Sequence, residues 1–70
     1  MSIETTGNVR AVMSPDELNE LRARVPAEMR VQVFCDPRGV FTIRTFDRNW
    51  NRAASAKSRD WRAAATEAGL

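Results

Sequence analysis

The sequence predicts a compact α+β domain of order (β)αββα, with an antiparallel hairpin sheet packed on a C-terminal amphipathic helix. Three observations predict it. A serine–proline–acid start precedes a short apolar stripe, two β-rich segments flank Asp36-Pro37-Arg38-Gly39, and an alanine-, arginine- and tryptophan-rich segment ends the chain. Seventy residues allow one small domain. Residues 1–7 are polar and contain Gly7, so they read as a flexible tail ahead of a single domain over residues 8–70.

Residues 8–13 alternate weakly and fit a short strand or an extended lead-in. Ser14-Pro15-Asp16-Glu17 is a strong helix start. The serine oxygen accepts a free N–H of the first turn, Glu17 reaches back to the serine N–H, and proline suits the first helical position. Leu18, Leu21 and Val25 then share one face, and Pro26 ends the helix near Arg24.

Segments 29–35 and 40–46 are rich in β-branched and aromatic residues, and the turn between them has Asp first, Pro second and Gly fourth. Gly39 at positive φ supplies the bulge that closes such a turn as a hairpin. The resulting register pairs Cys35 with Phe41, Val33 with Ile43 and Val31 with Thr45, so these side chains share a core face. The other face carries Arg30, Gln32, Phe34, Thr42, Arg44 and Phe46, with Arg44 opposite Gln32 and Phe34 opposite Thr42. Two phenylalanines on a face need covering. The first helix is the ordinary cover; a homodimer or partner interface, or stacking on nucleic-acid bases, would be the others.

Residues 47–68 have the composition of a helix, capped by Asp47 or Asn49 and ended by Gly69, with a break near residues 55–58 as a variant. At 100° per residue, Trp50, Ala54, Trp61, Ala65 and Ala68 form one stripe, which makes both tryptophans core anchors. Arg48, Arg52, Arg59 and Arg62 fall on the opposite side. Residues 48–62 hold five cations against Asp60 alone, a local balance of +4, whereas residues 1–46 balance to zero. The positive charge is thus concentrated in one segment, and arginine favours bidentate contact with carboxylate or phosphate.

The chain has no histidine, one lysine and one cysteine. No constellation for acid–base, nucleophilic or metal chemistry assembles from such a set, so the expectation is a protein that is not an enzyme and holds no cofactor or metal. Asp16, Glu17 and Glu20 read as the acidic first turn of a helix. The lone Cys35, the absence of a long apolar run and the polar start of the chain fit a cytoplasmic protein that does not enter a membrane.

Two functional classes remain. The first is a small protein-binding module, of the kind of bacterial or phage inhibitors that cover a surface of a larger complex. It would use Phe34, Phe46, Arg30 and Arg44 with the arginines at 48, 52, 59 and 62 against an acidic protein surface. The alternative is a nucleic-acid binder that turns the arginine face of the C-terminal helix to phosphates.

Overall fold

The turn at Asp36 closes the hairpin in the predicted register. In the computed structural model, which describes residues 2–70, β2 (Arg30–Cys35) and β3 (Phe41–Phe46) pair antiparallel, with Cys35 opposite Phe41 and Val33 opposite Ile43. Asp36 Oδ1 accepts the N–H groups of Arg38 at 2.8 Å and Val40 at 3.0 Å, and Gly39 takes φ 85°.

Two further strands extend this hairpin into a four-stranded mixed sheet of order β1-β2-β3-β4. β1 (Ser2–Gly7) lies parallel to β2, with Ile3 beside Val31 and Thr5 beside Val33. The segment expected to be a flexible tail is therefore an edge strand. Its weak alternation of Ile3, Glu4, Thr5 and Thr6 has meaning only once β2 is present to pair with it. Gly7 ends β1 at φ 67°, where a Cβ would overlap the Cys35 carbonyl and reach 2.8 Å from the Phe34 ring. Asn8 N–H then donates to that carbonyl at 2.9 Å, and residues 9–12 form the single turn α1 (Val9–Val12) rather than a strand.

α2 (Pro15–Arg24) carries the predicted capping box: Glu17 N–H donates to Ser14 Oγ at 3.2 Å, and Ser14 N–H to Glu17 Oε1 at 3.1 Å. The helix buries Leu21, with Val25 just beyond its end, in the same core as Val33 and Ile43. It thus packs on the core side of the sheet and does not cover the Phe34 face.

The largest departure from expectation lies between residues 47 and 60. There is no long C-terminal helix. Asp47 starts a second hairpin, β4 (Arg52–Ser58) pairs antiparallel with β3, and only α3 (Trp61–Glu67) is helical. Pairing with β3 overrides the helix propensity of the Ala-rich stretch. Ala54 and Ala56 turn toward the core, and their small side chains let α3 lie close to the sheet. Buried Ala64, Ala65 and Trp61 supply the facing surface. Thr45, the buried polar residue of this core, points its Oγ1 at the Ala68 carbonyl, 3.4 Å away. Leu70 N–H and Gly69 N–H return to Ala65 and Thr66 carbonyls, closing α3 as a Schellman turn.

Trp61 and Trp50 have opposite fates. Trp61 is buried at the start of α3, its indole N–H donates to Glu17 Oε2 at 2.9 Å, and the guanidinium groups of Arg62 and Arg24 lie 4.6 and 5.6 Å from its ring centroid. Trp50 stands exposed in the second hairpin turn. No helix among the described residues is long and apolar enough to cross a membrane.

Candidate functional site

Because the helical core packs on one side, the other face of the sheet is open. Strand alternation brings Arg30, Gln32 and Phe34 of β2 beside Phe46, Arg44 and Thr42 of β3 on that face. Glu4 and Thr6 flank them from β1, and Ser55 and Lys57 from β4. Between Phe34, Glu4, Gln32, Arg44 and Lys57 lies a shallow trough of about 350 Å³.

The aromatic groups sit at the two ends of this face. Phe34 is 43% exposed at one end. At the other, Phe46 meets Trp50 with ring centroids 5.4 Å apart, and the Arg30 guanidinium lies 4.7 Å from the centre of the Trp50 ring. Arg30 Nε–H also donates to the Arg48 carbonyl at 3.3 Å, which ties β2 to the second turn. Trp50 remains 42% exposed in this cluster. The four-residue step from Arg30 to Phe34 separates the two aromatic ends by about 13 Å.

Trp50 has φ 64°, and it is the non-glycine residue at positive φ among those described. The reason is the turn. Asp47 Oδ1 accepts Asn49 N–H at 2.8 Å and Asn51 N–H at 3.0 Å, Trp50 N–H donates to the Asp47 carbonyl, and Asp47 N–H to the Asn51 carbonyl. Every one of these bonds has its counterpart in the Asp36 turn, where the equivalent position is Gly39. A side chain there costs about 1–2 kcal/mol in a conformation that glycine adopts freely. The bonds from the Asn51 and Asn49 amides, the former the stronger influence, hold the Asp47 carboxyl below the usual aspartate range.

Four of the sequence-predicted residues, Phe34, Phe46, Arg30 and Arg44, are brought together on the open face. Arg52 pairs with Phe46 at its β4 edge, across a bulge. The remaining arginines do not form the single helical face expected, because the helix that would align them does not exist. Arg48 lies in the second turn, and Arg59 between β4 and α3. Arg62 is engaged at the helical side: its Nε and Nη2 reach both Glu20 carboxylate oxygens at 2.8 and 3.0 Å. That hydrogen bond pulls the Glu20 carboxyl below its ordinary range and raises Arg62.

Trp50, Lys57 and Glu4 belong to the face but escaped the sequence reading. The signal for Trp50 was the repeated Asp-x-x-x-Asn/Val turn pattern, masked by the missing glycine. For Lys57 it was the two-residue alternation of Ala54, Ala56 and Ser58. Among the described residues, no group of three or more His, Cys, Asp or Glu side chains is placed to hold a metal ion. Cys35 is buried on the core side, and burial raises its thiol pKa. Comparison with family models, curated proteins and solved structures found no match to this chain.

Proposed function

We propose that the chain is a small non-catalytic binding module whose working surface is the open face of the sheet, and that its partner is an anionic macromolecule. The observation that carries this reading is Trp50. A large aromatic side chain occupies a turn position made for glycine, at a cost in backbone strain, and stands exposed beside Phe46 and Arg30. Strain of this kind concentrates at sites where a side chain must be presented. Arg30, Arg44 and Lys57 supply the charge, against Glu4 as the face's acidic group, and they attract carboxylates or phosphates by the same Coulomb term. The tryptophan, phenylalanine and arginine content also matches the composition of protein-binding hot spots, which supports an acidic protein surface as one form of the partner.

The test is photocrosslinking in cells that carry the protein. A benzophenone side chain at Thr42, on the floor of the open face, should form adducts with other macromolecules, and one at Asn19, exposed on α2, should not. Adducts from position 19 with none from position 42 would place the working surface on the helical side.

A further inference from the structure

We infer that the anionic partner is a single nucleic-acid strand, with bases stacking on Phe34 at one end of the sheet and on Trp50 at the other, and phosphates reaching Arg44 between them and Lys57 level with Phe34. This rests on the open face being the working surface, and three features of that face select the occupant.

The first is where the aromatic groups lie. Protein interfaces concentrate their apolar anchors at a centre depleted of charge, with polar groups at the rim. Here the arrangement is reversed: Glu4, Gln32, Arg44 and Ser55 form the middle row of the face, Thr42 and Lys57 share the row of Phe34, and the exposed rings stand at the two ends. A single strand presents π-faces and phosphates in alternation, which fits a polar floor that carries Arg44 between two stacking platforms.

The second is shape. The four-stranded sheet is roughly 14 Å across, and among the described residues no helix lies on its open face to enter a duplex groove. Unstacked bases need only an open surface with exposed rings. The separation of about 13 Å between Phe34 and the Trp50 cluster leaves room for about one base between the two stacked ones at a step of roughly 6–7 Å per extended nucleotide, twice the rise of a stacked duplex.

The third is charge and hydrogen bonding. Arg30, Arg44, Arg52 and Lys57 give a cationic track along β2, β3 and β4. Gln32 Nε2–H donates to Glu4 Oε2 at 3.5 Å, and the second Gln32 amide N–H and the remaining carboxylate lone pairs of Glu4 offer donors and acceptors to base edges.

The test is fluorescence anisotropy with labelled 12-nucleotide oligomers of mixed sequence, as single strands and as duplex, with poly-glutamate as the acidic-polypeptide probe. The single strand should bind at least tenfold more tightly than the duplex. Phe34→Ala should weaken it about five- to a hundred-fold, the range for one lost base stack. Arg44→Gln should lower the slope of log affinity against log salt by about 0.7, the loss of one phosphate contact. Circular dichroism should show both variants with the parent fold. Three results would each overturn the inference: no binding of any oligomer at low salt, equal affinity for duplex, or poly-glutamate binding as tightly as the single strand. If crosslinks still arise from Thr42, the open face remains the working surface, and its partner is a duplex where duplex binds equally and an acidic protein in the other two cases.

Discussion

Gly39 and Trp50 occupy the same position in two turns with the same set of hydrogen bonds. In each, an aspartate accepts two backbone N–H groups, at 2.8 and 3.0 Å, and the fourth residue takes a left-handed φ of 85° or 64°. The pair isolates what a side chain costs in this conformation. Around Gly39 no heavy atom lies within 4 Å of an added Cβ, so Gly39→Ala should cost only the backbone strain, about 1–2 kcal/mol. Urea unfolding measures it. A cost near zero would mean that the left-handed position is unstrained in this turn, and that Trp50 carries no strain either.

Gly7 is held by a different constraint. A methyl group there meets the Cys35 carbonyl and the Phe34 ring, in addition to the left-handed φ of 67°. Gly7→Ala should therefore cost more than Gly39→Ala, about 3 kcal/mol, as overpacking is added to strain. The two midpoints, measured side by side, check the order; equal costs would show that β1 gives way without loss.

Trp61 anchors the helical side. Truncation to alanine removes a buried indole and leaves Glu17 Oε2 without the indole N–H, and the expected loss is about 3–5 kcal/mol. A chain of this size has little stability to spare, so Trp61→Ala should be unfolded by near-ultraviolet circular dichroism. A cooperative melt like that of the parent would remove Trp61 from the core.

Acid should loosen the same contacts. Glu17, bonded by the Trp61 indole, Glu20, bonded by Arg62, and Asp47, bonded by the Asn51 amide, all have carboxyl pKa values below their ordinary ones. A lowered pKa in the folded state adds stability that is complete above the unfolded value and is lost as pH falls through the folded value. The ordinary glutamate value is 4.5, so stability should be level above about pH 5.5 and decline below pH 4.5. Thermal melts between pH 3 and 7 measure it, and Glu17→Gln should flatten part of the decline. Stability that rises on acidification would contradict these contacts.

How much of this was legible in the sequence depended on where the information lay. The hairpin of β2 and β3 was readable to the register, because Asp36, Pro37 and Gly39 specify the turn and Val31, Val33, Cys35, Phe41 and Ile43 alternate in agreement with it. The capping box at Ser14 was readable for the same local reason. β4 was not, since Ala53, Ala54 and Ala56 favour helix and the second turn has tryptophan where glycine would signal a reversal. The 100° spacing that aligned Trp50 with Trp61 was a coincidence of composition. β1 was hidden because its partner β2 lies some two dozen residues further along the chain. The open face inherited both outcomes. Its β2 and β3 members were placed in advance, while Trp50, Lys57 and Glu4 came from the two misread segments.

The central claim is that Trp50 is kept in a strained turn for what it binds, and Trp50→Gly tests it most directly when stability and affinity are measured on one sample. Glycine relieves about 1–2 kcal/mol of strain and forfeits the contacts with Phe46 and Arg30, each about 0.5–1.5 kcal/mol, so the variant should unfold within about 1 kcal/mol of the parent. Its affinity for the single-stranded 12-nucleotide oligomer should fall at least fivefold. Unchanged affinity with unchanged stability would contradict the claim, and so would a variant that no longer folds, since Trp50 would then be serving the structure alone.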